Sequence, residues 1–133
     1  MPQVVTRRDE NGKPTSVSVT YEIGPGVDLR GADLGGAILD GTDFRKVNLK
    51  GANLEIAHLV GVDFRGANLQ MAHFEGANLR RADLRGANLK GTDLGKTFLT
   101  CLEGARYDTS TEFPDSFHPE TESMILVEDE NKE

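Results

Sequence analysis

At 133 residues the chain has the length of one domain, and it carries a net charge of −7 with 6% aromatic residues and no tryptophan. A single cysteine, Cys101, excludes an intrachain disulfide and supplies no metal set. Met1–Gly12 is polar, without the apolar core of a signal peptide, and the longest aliphatic or Met stretch, Met124–Val127, is far too short to span a bilayer, so no membrane is expected and a cytoplasmic location is the default.

Residues 3–21 read as a β-hairpin. Val4, Thr6 and Arg8 alternate on one arm, Val17, Val19 and Tyr21 carry the other, and Asn11-Gly12 suits a type I′ turn. That turn sets Glu10 opposite Lys13 and Asp9 opposite Pro14, a non-hydrogen-bonded pair that tolerates the missing Pro14 N–H. Gly24-Pro25-Gly26 then breaks the strand.

From Leu29 to Leu99 every fifth residue is Leu or Phe, fifteen positions without an exception, with Phe at 44, 64 and 74. Two residues before each stands Ala, Val or Thr, from Val27 to Thr97. A period of five fits neither the helical 3.6 nor the strand's 2. On a helix these residues would spiral rather than form a stripe, and the recurring glycines would each cost about 1 kcal/mol. A chain that turns a corner every five residues and stacks coil on coil satisfies the pattern. The central residue and the one two before it then point inward, the rest face water, and Gly eases the corner.

The units Ala32-Asp33-Leu34, Ala52-Asn53-Leu54, Ala67-Asn68-Leu69, Ala77-Asn78-Leu79, Ala82-Asp83-Leu84 and Ala87-Asn88-Leu89 resemble the motif of the pentapeptide-repeat family. The resemblance covers residues 27–101, 75 of the 133. It implies an all-β fold, a right-handed quadrilateral β-helix with four units per coil. Fifteen units would make about 3.75 coils, a rod about 18 Å long at about 4.8 Å per coil. Such a solenoid is stabilised by neighbour contacts and needs both ends capped. The expected division is an N-terminal hairpin cap over 1–26, the repeats over 27–101, and an irregular C-terminal cap with an acidic tail over 102–133. Gly104 to Pro114 is also similar to the ending of many bacterial members, notably cyanobacterial ones.

After Cys101 the phase slips, and Ala105-Arg106-Tyr107 reads as one more unit out of register. Tyr107, Phe113 and Phe117 offer aromatic cover for the last coil, while Pro114 and Pro119 argue against regular structure. Met124-Ile125-Leu126-Val127 is an apolar run in acidic sequence. It is expected to dock on the chain itself, on the hairpin or along an apolar strip, rather than to wait for a partner; residues 128–133 are expected to fray.

With four units per coil, residues twenty apart stack into faces. One face carries Asp43, Asp63 and Asp83 with Arg45, Arg65 and Arg85 two residues on. A solvated salt-bridge network explains it better than a phosphate- or carboxylate-binding stripe, because every Arg has an Asp at hand. A second face sets Asn48, Asn68 and Asn88 in register, expected to bond along the stack as an amide ladder. A third is the candidate interaction strip: Ile38, His58, Asn78 and Phe98 take the position usually held by Asp or Asn, with Val60 beside them and Ile56 on the adjoining corner. An exposed apolar strip is a binding site or ground for the chain's own caps, and self-coverage is the favoured reading. Phe44 and Phe64 stack inside as core filling.

His58 and His73 lie three units apart, hence on different faces, and there is no serine elbow, P-loop or dinucleotide fingerprint. The expectation is a non-enzymatic structural or protein-interaction module with no catalytic residue, no cofactor and no metal. Its partner would be another protein, without a small-molecule substrate or nucleic acid, and the chain a monomer or weak dimer. The family also contains DNA mimics that bind DNA gyrase, and this is the alternative. Mimicry demands a long acidic rod, since duplex DNA carries one charge per about 1.7 Å. Residues 27–101 hold ten basic and nine acidic side chains, while the acidity sits in 102–133, with two basic and ten acidic. Micromolar protein should therefore leave gyrase supercoiling uninhibited in a purified assay; strong inhibition would put the mimic reading first.

Overall fold

A computed structural model describes residues 2–8, 11, 13–94 and 102–128. Backbone bridges recur at a spacing of twenty: Asp28 with Asn48, Asn48 with Asn68, Asn68 with Asn88, and likewise in the columns through Asp33, Ile38 and Asp43, all parallel. Four pentapeptides thus close one turn of a four-sided solenoid.

The unit Ala52–Ile56 shows why these five residue types fold this way. Ala52 N–H closes the corner onto Leu49 C=O (2.9 Å). Asn53 N–H reaches back one coil to Ala32 C=O (2.9 Å), Leu54 N–H reaches forward to His73 C=O (2.8 Å), and Ile56 N–H reaches forward to Glu75 C=O (2.9 Å). Only Glu55 N–H has no place in the stack, and the Asn53 side chain accepts it through Oδ1 (2.9 Å). All five backbone donors are accounted for, as a buried backbone requires. The motif's Asp or Asn is therefore a local cap for the amide two residues on, a role that short polar side chains fill well.

Every described central residue from Leu29 to Leu94 is buried, together with most of the small residues two before. Phe44 and Phe64 stack with centroids 5.8 Å apart and planes at 13°. Val27 and Thr42, expected inside, are only half-buried. Both belong to the first coil, which has a neighbouring coil on one side only. Leu99 and Thr97 lie outside the described residues.

The corner two residues past each central position carries positive φ, and Lys46, Ile56, Met71 and Arg81 adopt it without being glycine. In each case the corner one coil on is glycine, and the side chain lies over it: Lys46 on Gly66, Ile56 on Gly76, Met71 on Gly91, Arg81 on Gly104. A Cβ at Gly76 would meet Ile56 Cγ2 at 2.9 Å, whereas one at Gly51 would meet nothing within 4 Å. Bulky corners are thus permitted only where the next coil leaves room.

Before the solenoid, β1 (Pro2–Arg8) and β2 (Pro14–Glu22) form an antiparallel hairpin. The expected register is corrected at the turn: Pro14 faces Arg8, not Asp9. Thr6 faces Ser18, where the expected turn would set Val17, so Thr15–Val17 on β2 answer Arg7 alone on β1. That irregularity absorbs extra residues and offsets the turn from the strands. Asp9, Glu10 and Gly12 of the expected turn lie outside the described residues. Tyr21 Oη accepts Asp33 N–H at 2.9 Å, and Tyr21 and Ile23 pack against the core.

After it, Leu84 N–H bonds Arg106 C=O and Leu89 N–H bonds Glu112 C=O, so residues 102–112 lie on the last repeats at a spacing of 23 to 24 instead of twenty. Leu102 and Ala105 are buried, and Tyr107, Phe113 and Phe117 form a ring series with centroids 5.5 Å and 4.9 Å apart. Regular structure does occur here: β3 (Arg106–Tyr107) pairs in parallel with β4 (Ile125–Leu126), and Pro119–Thr121 makes a 3-10 turn. Pro119 is compatible with that turn because its missing N–H falls at the first position, where no donor is used. The 124–127 run docks on β3, neither on the hairpin nor along the apolar strip.

Leu69→Ala, in a middle coil, should cost about 2–5 kcal/mol in denaturant melts, while Arg30→Ala should leave the midpoint unchanged because its side chain is 64% exposed. Gly51→Ala should cost about 1–2 kcal/mol for the left-handed backbone alone, and Gly76→Ala more, through its contact with Ile56; equal costs would refute the corner rule.

Candidate functional site

The solenoid brings Asp43, Asp63 and Asp83 into one column, bridged at their backbones. Each carboxylate takes three donors from the Arg two residues later. Asp43 Oδ1 accepts the Arg45 backbone N–H (3.2 Å) and Nε (2.8 Å), and Oδ2 accepts Nη2 (2.7 Å). Arg65 on Asp63 and Arg85 on Asp83 repeat this fork, with Nη2 to Oδ2 at 2.7 Å and 2.6 Å. Asp28 and Arg30 build the same fork on another face. Across coils, Arg45 Nε lies 3.9 Å from Asp63 and Arg65 Nε 3.8 Å from Asp83, so these two guanidiniums each sit between two carboxylates. The Arg45 guanidinium, then its backbone N–H, holds the Asp43 carboxyl down to about 2. Asp63 is lowered chiefly by the Arg65 guanidinium, and the arginines are raised in turn.

Ile38, His58 and Asn78 stand in one column of bridges, as the strip requires. Self-coverage fails at its first member, since Ile38 is 54% exposed. The apolar tail run that was to cover it lies on β3 instead. His58 is exposed and Val60 half-buried; Phe98 lies outside the described residues. Where His58 replaces the usual Asp or Asn, the Val60 N–H is accepted instead by Asp40 Oδ1 from the coil before, at 2.8 Å. His73 falls in the neighbouring column with Asn53.

Asn48, Asn68 and Asn88 do stack, but their oxygens turn to the N–H groups of Lys50, Gln70 and Lys90 (3.1–3.2 Å). The expected amide ladder along the stack is replaced by these local caps, because the backbone donor two residues on has no other acceptor. An open hollow of about 790 Å³ at the corner before Asp83 mixes Arg80, Arg81 and Arg106 with Asp63, Asp83 and Glu103. It offers charge of both signs and no nucleophile.

The family model for pentapeptide repeats matches residues 26–55 and 57–95, in eight copies. The chain belongs to the pentapeptide-repeat family. Among solved structures it is similar to alr5209, a pentapeptide repeat protein from Nostoc PCC 7120, at 32% identity over 91% of this chain and 86% of that one, TM-score 0.63. It is likewise similar to Rfr23, a pentapeptide repeat protein from the cyanobacterium Cyanothece 51142, at 38% identity over 67% of this chain and 58% of that one, TM-score 0.64. QnrB1, a plasmid-mediated fluoroquinolone resistance protein, matches at 15% identity over 78% of this chain and 81% of that one, with a TM-score of 0.34, too weak to carry an argument. No curated protein sequence matches the chain. The pentapeptide-repeat neighbours make the solenoid a right-handed quadrilateral β-helix.

The Asp43 carboxyl should titrate near 2 by carbon-13 NMR, and Arg45→Gln should return it toward 3.8. The folded state binds fewer protons than the unfolded state between those values. The pair's stabilisation is therefore complete above about pH 4 and is lost as pH falls toward 2. A titration near 3.8 in the parent protein would contradict the fork.

Proposed function

We propose that this chain is a non-enzymatic protein-interaction module, bacterial and cytoplasmic, acting as a monomer or weak dimer without cofactor. Its solenoid spans residues 27–101 in about 3.75 coils, with the hairpin of 1–26 covering the first coil and 102–133 covering the last. In support, Tyr21 ties the hairpin to the first coil and Leu102 and Ala105 are buried on the last repeats. The proposed contact surface is the strip of Ile38, His58, Val60 and Phe98, and the exposed Ile38 carries the reading. Ile38 is a large aliphatic side chain, 54% exposed, where the first members of the other three columns are Asp28, Asp33 and Asp43. The charge ladder serves stability: its aspartates and arginines satisfy one another and leave no unpaired anion site.

Photo-crosslinking in the cells of origin tests this. A benzophenone side chain at position 38 should give one discrete protein adduct, and the same group at Lys50, on a charged face, should give none. No adduct at 38, or the same adducts from both positions, would overturn the reading.

A further inference from the structure

The hollow before Asp83 is lined by three acidic residues, Asp63, Asp83 and Glu103, and three basic ones, Arg80, Arg81 and Arg106. Their charges do not cancel evenly. Asp63 and Asp83 are already engaged. Asp63 accepts Arg65 Nε and Nη2 (2.9 and 2.7 Å), Asp83 accepts the same pair from Arg85 (2.9 and 2.6 Å), and Arg45 and Arg65 stand 3.9 and 3.8 Å from their Oδ2 atoms. Glu103 faces Arg80 at 4.0 Å. Among the described residues no carboxylate comes within ion-pair distance of Arg81 or Arg106, and both are exposed.

The stack itself explains why these two lack partners. Arg106 follows Asp83 in the column that runs through Asp43 and Asp63, where each earlier member is an aspartate answered by the arginine two residues on. Two residues after Arg106 comes Asp108, but its Oδ1 is taken up by the Gly86 and Ser110 N–H groups and the hydroxyls of Ser110 and Thr111 (2.7–3.1 Å). Arg81 holds a corner, with glycines at the corners one coil back and one layer on, Gly61 and Gly104, so its column contains no acid. With the ladder neutral and Glu103 set against Arg80, the open hollow of about 790 Å³ keeps two uncompensated positive charges. Guanidinium forks match the oxygens of a phosphate, and a dianion balances two of them. Ile125, 50% exposed, supplies an apolar wall. We propose that this hollow binds a phosphomonoester, its dianionic phosphate held by Arg81 and Arg106 and its organic group toward Ile125. The site is independent of the contact proposed through Ile38.

The full chain is titrated at about pH 8, where a phosphomonoester is a dianion, with phenyl phosphate and with its monoanionic diester, methyl phenyl phosphate, and followed by NMR. The monoester should shift Arg81, Arg106 and Ile125 and bind at least about tenfold more tightly than the diester. Arg81→Gln and Arg106→Gln should each weaken it by at least about tenfold. Arg30→Gln, on another face and forked to Asp28, should leave it unchanged. Protection of the Leu84 and Ile125 amides, bonded to Arg106 C=O and Ala105 C=O, shows whether the last layer stays docked. If either substitution loosens that layer, Glu103→Gln decides: removing this carboxylate should tighten binding, a gain that unfolding cannot produce. A phosphoserine peptide, otherwise uncharged, separates two sources of the same chemistry. Binding like that of phenyl phosphate makes the ligand a phosphorylated side chain, and exclusion makes it a free ester. Equal binding of monoester and diester, shifts spread over Arg30, Arg45 and Arg65, or binding indifferent to the Arg81, Arg106 and Glu103 substitutions would overturn the proposal.

Discussion

Leu49 donates its N–H to Asn68 one coil on, and Asn68 donates to Val47 one coil back, at 2.8 and 2.9 Å. This twenty-residue exchange, repeated round the four sides, is what everything else hangs on. No coil is thick enough to bury its own side chains, so the Leu and Phe columns are dry only because the coils are held in parallel register. The register in turn leaves one backbone N–H per unit unanswered. The Asp or Asn before the central residue answers it, and so the outside of the molecule is as constrained by backbone accounting as the inside is by packing.

Parallel stacking also places like side chains above one another, which is costly for charges and for bulk. The two problems have local solutions. Each Arg of the Asp43–Asp83 face is folded back on its own Asp and lies within 3.9 Å of the next one for Arg45 and 3.8 Å for Arg65, so the column alternates in sign. Each bulky corner is followed by a glycine. Where neither constraint operates, as at Ile38 in the first coil, the surface keeps an exposed apolar side chain.

The period of five was enough to read the core and the faces, because every central Leu or Phe from Leu29 to Leu94 is buried. The corner rule was equally legible had positions twenty apart been compared for bulk: Ile56 with Gly76 and Met71 with Gly91 stand in the sequence. The capping role of Asn48, Asn68 and Asn88 was hidden by their stacking, which suggested bonds along the column when the stronger demand is the N–H two residues away. Other features lie beyond any periodic argument. The hairpin register depends on an irregularity between Thr6 and Arg8. The seat of Ile125–Leu126 depends on a step of 23 from Asp83 to Arg106, which breaks the count of twenty.

The most direct test is the coupling that passes through a hydrogen bond from an amide nitrogen to the accepting carbonyl carbon, measured by NMR on the uniformly labelled chain. The expected map links Leu49 with Asn68, Leu54 with His73 and Leu59 with Asn78, forward by nineteen residues, and Asn68 with Val47 and Asn78 with Ala57, back by twenty-one. Couplings at other spacings, or none between coils, would contradict the stacked register from which the core, the ladder and the strip through Ile38 follow.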